Sequence, residues 1–186
     1  MSSSFIYQPH VHQSNGGVVT PDIAINRVYI FEGGRHSAFP VSQLTSRVVT
    51  QRYGSVFSVV PMVAIIEAGF GMLLSIGVAC ANSLLVSRQA WRYRDVSDDY
   101  GDLILQSRTV PGGGPCVDSE IAIGELPSVS NIMEVLGHRT AISPGTAVFA
   151  MKSASSDGPV VADRYEVILE GPESSLSFEI DLQPIH

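Results

Sequence analysis

Charged residues are scarce in this sequence. Asp, Glu, Lys and Arg make up 16% of the 186 residues, and hydrophobic residues make up 45%; a typical globular domain carries charge on about a quarter of its residues. Disordered chains combine low hydrophobicity with high charge, so global disorder is excluded. The length suits one compact domain. Such a domain normally needs a charged surface, and the shortage predicts that much surface is buried against a partner.

A basic patch is also lacking. The net charge is −7, Lys152 is the single lysine, and no run of basic residues occurs. Tight autonomous binding to nucleic acid depends on neutralising phosphates and is therefore disfavoured. The preference for arginine over lysine suits buried pairs at protein interfaces, but codon bias explains it equally well.

Cysteines are few, and their spacing indicates no metal or redox site. Cys80 and Cys116 are the two cysteines, and they form no CxxC or metal-type spacing. They are compatible with one disulfide or with two buried thiols. The sequence has no Asn-x-Ser/Thr sequon and no signal-like N-terminal layout. A reducing, cytosolic origin is expected, with Cys80 as an ordinary core residue.

Familiar catalytic motifs are absent. The sequence contains no GxSxG, HExxH, Walker or dinucleotide-binding glycine pattern, and the PGGGP run at 111–115 lacks the lysine of a phosphate loop. We therefore predict that the chain is not an enzyme and needs no cofactor.

The longest apolar stretch, Val56–Ala81, has the length of a membrane helix but contains residues that disfavour one. Glu67 is its one charge, and Gly69 and Gly71 follow shortly after. An acidic side chain near a membrane centre costs about 2.5–3.5 kcal/mol, and Val and Ile favour strands. We predict a hairpin with strands Val56–Ile66 and Met72–Ala81, and keep a membrane anchor through 56–81 as an alternative.

The remaining chain consists of an arm and short strands. Residues 1–26 are polar and without periodicity, which predicts an N-terminal arm, and residues 27–186 form the domain. Pro127–His138 is the one short helix, with Ser128 or Ser130 as its cap, a stripe of Ile132, Val135 and Leu136, and Gly137 at its end. Besides the hairpin, the predicted strands are Arg27–Glu32, Phe39–Thr50, Ser83–Asp95, Leu103–Val110, Val117–Ile123, Thr146–Ser153, Ala162–Glu170 and Leu176–Leu182. The pattern predicts an all-β sandwich or barrel.

Two clusters resemble metal sites without completing one. His10 and His12 place two imidazoles on one side of an extended segment, but no acidic partner follows until Asp22; polar arm residues are the simpler interpretation. Asp98, Asp99 and Asp102 crowd into one loop with Asp95. Clustered carboxylates can bind Ca²⁺, but the spacing is not that of an EF-hand, so a solvated acidic loop is the alternative.

Arginines and aromatic residues alternate in one segment. The segment is QAWRYR together with the residue directly before it, and it contains Arg88, Trp91, Arg92, Tyr93 and Arg94. Such residues dominate protein interfaces, and they can also stack on bases and contact phosphates. We favour the subunit interface.

Three segments resemble the coat proteins of small icosahedral plant RNA viruses, tymovirus-like coats first and bromovirus or cucumovirus coats second. They are Ser46–Ile66, Leu73–Ser83 and Pro144–Gly171. The resemblance implies a single eight-stranded jelly-roll sandwich that self-assembles into a shell around genomic RNA. It also implies that His10 and His12 face the RNA and that Ca²⁺ at subunit junctions is an option for the Asp98, Asp99 and Asp102 cluster.

The function expected from these observations is a structural capsid protein. Its partners would be many copies of itself and, weakly and non-specifically, RNA, with no membrane. Its location would be the virion, and the host cytoplasm during assembly. The alternatives are a β-rich viral interaction protein of the matrix or adaptor kind, and the membrane-anchored protein named above.

Overall fold

The computed structural model describes residues 5–6, 17–20, 22–45, 56–57, 59–80, 83–110, 116–152, 160–161 and 164–181. Within these ranges the chain is mostly β-structure. The strands are β1 (Phe5–Ile6), β2 (Val18–Val19), β3 (Ala24–Ile25), β4 (Arg27–Glu32), β5 (Arg35–Ala38), β6 (Leu44–Thr45), β7 (Val56–Phe57), β8 (Val59–Glu67), β9 (Met72–Cys80), β10 (Ser83–Arg92), β11 (Ile104–Val110), β12 (Cys116–Ala122), β13 (Thr146–Met151), β14 (Val160–Val161), β15 (Arg164–Glu170) and β16 (Ser175–Asp181). The helices are α1 (Tyr93–Val96) and α2 (Val129–Gly137), and short 3-10 turns cover Val41–Gln43, Tyr100–Asp102 and Ile123–Glu125.

Two sheets make up the body of the fold. The larger sheet has the order β2-β10-β9-β8-β13-β4-β5, with β6 parallel to β10, and the smaller has the order β12-β11-β15-β16. The smaller sheet packs on β8, β9 and β10 of the larger one. Two-stranded ladders join β1 to β3 and β14 to β7.

The apolar stretch folds as the predicted hairpin. Strands β8 and β9 pair antiparallel from Val59 opposite Cys80 to Glu67 opposite Met72. Gly69 (φ 86°) and Gly71 (φ 133°) supply the left-handed backbone that the turn requires. The Gly69 amide donates to Glu67 Oε1 at 2.9 Å, so the one charge of the stretch closes its turn. None of the helices in the described residues has the length and hydropathy to span a membrane.

Both faces of the central strands β8, β9 and β13 are buried within the single chain. One cluster contains the side chains that face the smaller sheet and α2: Val63, Ile65, Leu74 and Ile76. Their neighbours in the strands lie in a second cluster on the opposite face: Met62, Ala64, Ile66, Leu73, Ala147 and Phe149. Strands covered on both sides read as continuous apolar runs. The runs therefore need no subunit interface to explain them.

The all-β prediction is confirmed, whereas the jelly-roll order is not. A jelly roll is built from antiparallel strands, but β13 runs parallel to β4, from Thr146 opposite Arg27 to Met151 opposite Glu32. Within the predicted N-terminal arm, Ile23 and Ile25 are buried, and β2 pairs with β10.

Helix α2 follows the prediction closely. The Ser128 hydroxyl accepts from the Asn131 amide at 3.2 Å, which caps the first turn. Val129, Ile132 and Leu136 are buried, and the helix ends at Gly137.

Two predicted strands differ from the structure. Phe39–Thr50 is not one strand, because Pro40 precedes a 3-10 turn and only Leu44–Thr45 pairs; residues 46–50 lie outside the described ranges. The strand predicted for Ser83–Asp95 ends at Arg92, and α1 begins at the next residue, Tyr93. Cys80 is buried in β9 as predicted, whereas the Cys116 side chain lies outside what the structure describes.

Candidate functional site

A pocket of about 460 Å³ opens where the β8–β9 hairpin meets the end of β10. Its lining comes from two short segments, Phe70–Leu73 and Arg92–Arg94. The volume falls in the range of small-molecule sites, about 300–1,000 Å³. The register places Arg92 directly opposite Leu73, so pairing between β9 and β10 brings the two segments together.

The hairpin side of the pocket is apolar and the β10 side is cationic. Phe70 is 67% exposed, and it is the one large hydrophobic residue so exposed in the described part of the chain. The Arg94 guanidinium lies 3.4 Å from the Asp95 carboxylate. Arg92 forms no ion pair with any described residue and is exposed at the pocket. The pocket therefore offers one uncommitted cation beside an apolar surface, which suits an organic anion.

Tyr93 connects the pocket to the interior. Its ring contacts that of Tyr100 edge to face, with centroids 5.8 Å apart and planes at 76°. Tyr100 is 6% exposed, and its hydroxyl has no hydrogen-bond partner among the described residues. Burial, with a smaller contribution from Tyr93, raises the pKa of Tyr100 well above its usual range.

Replacing Tyr100 by phenylalanine should leave stability at pH 7 unchanged or raise it by up to about 1 kcal/mol, because the lost hydroxyl is unsatisfied. The raised pKa also has a pH consequence. Above about pH 10 the unfolded chain ionises Tyr100 while the folded chain does not, so stability falls with rising pH. Tyr100→Phe should remove this part of the alkaline loss, as measured by urea unfolding between pH 7 and pH 11.

Tyr29→Phe is the contrasting variant. The Tyr29 hydroxyl is hydrogen-bonded to Thr140 Oγ1 at 2.8 Å, so its removal should cost about 0.5–1.5 kcal/mol. Equal losses for Tyr29→Phe and Tyr100→Phe at pH 7 would contradict the unsatisfied state of Tyr100.

The predicted interface segment divides into three environments. Arg92, Tyr93 and Arg94 line the pocket, and Arg88 is exposed on β10 outside it. Trp91 is not available to another subunit: it is 1% exposed in the core between the sheets, and its Nε1–H donates to Ser174 Oγ at 3.0 Å. Strand alternation turns Trp91 toward the core between the sheets, while the next residue, Arg92, is exposed. An interface role for the four other residues stays a prediction.

The predicted metal residues Asp98, Asp99 and Asp102 are not among the described residues that line the pocket. His10 and His12 lie outside the described residues. Asp98 and Asp102 are exposed and Asp99 is half-buried; their segment closes turns through Asp99 N to Val96 O and Asp102 N to Asp99 O. No three His, Cys, Asp or Glu side chains in the described ranges gather as metal ligands would, so the calcium hypothesis gains no support from the geometry.

Sequence reasoning found the turn at 67–71 but not its role. A large aromatic residue between two turn glycines is nevertheless a detectable signal of an exposed apolar surface, because the adjacent glycines have no side chains that could bury the Phe70 ring. Its meeting with Arg92 depends on strand register, which the sequence pattern does not specify.

Comparison with known families and structures places the fold. The sequence profile described as protein of unknown function (DUF2848) matches residues 76–181. The chain belongs to this family. The matched region begins in β9 and includes the arginine side of the pocket. No curated protein matches the chain in sequence.

Two solved structures share the fold at low identity. The chain is similar to that reported as "Crystal structures of Cg1458", with a TM-score of 0.60 and 13% identity over 87% of this chain and 77% of that one. It is also similar to 2-hydroxyhepta-2,4-diene-1,7-dioate isomerase from Mycobacterium marinum, with a TM-score of 0.55 and 14% identity over 83% and 74%. The fold is therefore one that an isomerase uses.

These findings overturn the capsid interpretation. One structural neighbour is an isomerase, and nothing among these matches points to a coat protein, so the predicted capsid function and virion location are wrong. The shortage of charge, from which a buried partner surface was expected, has a source within one chain, because the central strands are covered on both faces. Self-association and a weak RNA contact stay predictions.

Proposed function

We propose that this protein is an enzyme that binds a small organic acid in the hairpin pocket and moves a proton on it. The observation that carries the proposal is Arg92, an exposed guanidinium without an ion pair among the described residues, set in a pocket with an apolar wall. A guanidinium binds a carboxylate through two parallel hydrogen bonds. Phe70 and Met72 would cover the carbon chain of the acid.

The similarity of fold supports the class of reaction. The isomerase from Mycobacterium marinum is named for a substrate with two carboxylates and an enol, and isomerising an enol moves a proton from oxygen to carbon while a double bond shifts. A shared fold does not by itself fix a shared function. The pocket adds an independent reason, because its cationic side complements a carboxylate and its apolar side complements the carbon chain of such a molecule.

Tyr93 is the proton-transfer residue in this proposal. Among the described residues that line the pocket, it alone carries a side chain of a type that serves as a general acid or base in enzymes. Arg94 is held by Asp95, so its contribution to binding is smaller than that of Arg92. Anchoring thus falls to Arg92 and proton movement to Tyr93.

Arg92→Gln should weaken binding of a carboxylate by about 10- to 100-fold, the loss expected for a charge-assisted hydrogen bond. Calorimetry with fumarate, 2-oxoglutarate and 2-oxoadipate measures the affinity. Arg88→Gln is the matched control, because Arg88 is an exposed arginine of the same strand outside the pocket. Equal losses for both variants would mean that general charge, not Arg92, attracts the acid.

Proton transfer is measured in D₂O with the same 2-oxo acids. Enolisation breaks a C–H bond beside the keto group and returns deuterium to that carbon, so ¹H NMR follows catalysis without knowledge of the final product. Tyr93→Phe should abolish the accelerated exchange while keeping the affinity within a few-fold. Arg92-dependent binding without exchange would reduce the protein to a carboxylate-binding module, and absence of both would refute the proposal.

A further inference from the structure

Strand β10 contains an irregularity just before the pocket. Val86 lies opposite Gly77 and Ala90 opposite Ser75. Ile76 alone therefore faces three residues, 87–89, of which regular pairing would use one. Strand β10 thus carries two extra residues at this point, a β-bulge of the kind that re-aims side chains near binding sites.

Ser75 on the neighbouring strand holds this bulge. Its side chain is fully buried, and its hydroxyl lies 2.6 Å from the Gln89 carbonyl oxygen and 3.2 Å from that of Ser87. The single hydroxyl proton of Ser75 is shared between these two acceptors, mainly with the nearer Gln89 oxygen, and regular pairing with β9 would otherwise have to satisfy them. Within the bulge, the Gln89 amide donates to Ser87 Oγ at 3.1 Å.

The bulge determines which residues of β10 reach the pocket. With it, Arg92 lies opposite Leu73 and Trp91 opposite Leu74. If β10 had continued from Val86 in regular pairing, Arg92 would lie opposite Gly71. The difference is two residues, or about 6.6 Å along the strand, which would move Arg92 from its place opposite β9 to the level of the hairpin turn.

We propose that Ser75 is a positioning residue of the pocket: by holding the bulge at 87–89 it fixes the register that brings Arg92 opposite Leu73. Ser75 does not line the pocket, so it acts through Arg92 and not on the ligand. The register role stands on the strand pairing alone, whereas its effect on affinity rests on the function proposed above.

The register is tested without any ligand. Trp91 is the single tryptophan of the chain, it precedes Arg92, and it is buried, so its fluorescence reports the position of this part of β10. Ser75→Ala should shift the emission to longer wavelength and increase quenching by acrylamide several-fold. Ser87→Ala, which removes the hydrogen bond within the bulge, should act in the same direction.

Deletion of residues 88–89 provides the matched control. It removes the two extra residues, so regular pairing from Val86 again places Arg92 opposite Leu73 without a bulge. In the full-length chain Ser75→Ala should weaken binding of 2-oxoadipate about 10-fold or more, as expected when a binding group moves by an ångström or more. In the shortened chain the same substitution should change neither affinity nor Trp91 emission.

The outcomes separate this inference from the proposed function. Wild-type emission and quenching for Ser75→Ala in the full-length chain, or equal effects in both chains, would overturn the positioning role. If emission responds as expected but the wild-type protein binds none of the acids, the function proposal fails and the register role is retained. If the shortened chain does not fold, Ser75→Ala and Ser87→Ala decide the matter through Trp91.

Discussion

Replacing Gly77 by alanine should lower the free energy of unfolding by about 2–3 kcal/mol, at the upper end of the usual cost of overpacking a core. A Cβ atom at Gly77 would lie 2.3 Å from Cδ1 and 2.7 Å from Cε1 of Phe149. The Phe149 ring reaches Gly77 across the intervening strand β8, so both the ring and the sheet would have to move. Urea unfolding measures the loss, and the melting temperature should fall by about 4–12 °C.

A smaller side chain at position 149 should partly restore the stability of Gly77→Ala. Phe149→Leu alone leaves a cavity and costs stability, but it also removes the atoms that a Cβ at Gly77 would strike. The double variant should therefore lose about 1 kcal/mol less free energy of unfolding than the sum of the two single losses. Gly137→Ala is the control, since a Cβ there meets open space at the end of α2. Additive losses would mean that Gly77 is required for another reason.

The sequence was sufficient for elements whose causes are local. The hairpin at 56–81 was predicted because glycines at 69 and 71 are needed for its turn, and α2 because Ser128 caps an apolar stripe. Strand β5 was missed although Gly33 and Gly34, with φ of 53° and 88°, make a turn before it. That local signal was present in the sequence and not used.

Long-range pairing was beyond these local signals. The parallel pair β4–β13 joins residues more than a hundred positions apart, and no periodicity in either strand encodes its partner. The shortage of charged residues predicts that much surface is buried against a partner, but composition does not state what covers the apolar side chains. Here the apolar strands are covered by the chain itself, so they do not bear on self-association, which stays a prediction.

The candidate site shows the same division. The segment from Arg88 to Arg94 was recognised as unusual, and three of its residues do line the pocket. What the pattern could not give was the bulge at 87–89, because two extra residues become visible only when β10 is aligned with β9. Without that register, Trp91 and Arg92 appear equally suited to a surface, although one is buried and the other exposed.

Gly145→Ala should destabilise the protein by about 3 kcal/mol or more, combining the cost of a left-handed alanine, about 1–2 kcal/mol, with steric conflict. Gly145 has φ of 89°, and a Cβ there would lie 2.6 Å from the backbone oxygen of Ala24. A backbone atom cannot turn aside as a side chain can. Thermal or urea unfolding measures the effect.

Gly34→Ala isolates the two contributions. Gly34 has nearly the same φ, 88°, but a Cβ there meets nothing within 4 Å, so this variant should lose only the conformational part, about 1–2 kcal/mol. The surplus loss in Gly145→Ala then measures the close approach of the chain segments. Equal losses would show that the contact with Ala24 yields without cost.

The loss at Gly145 should also extend to the pocket. The Gly145 amide donates to the Glu67 carbonyl at 2.8 Å, while its own carbonyl accepts from the Asn26 amide at 2.9 Å. Gly145 therefore links the start of β13 to the hairpin that carries Phe70. At a temperature where both variants are folded, Gly145→Ala should bind 2-oxoadipate several-fold more weakly than Gly34→Ala. Equal affinities would mean that the hairpin keeps its position without this link, and that register with β10 alone holds Phe70 against Arg92.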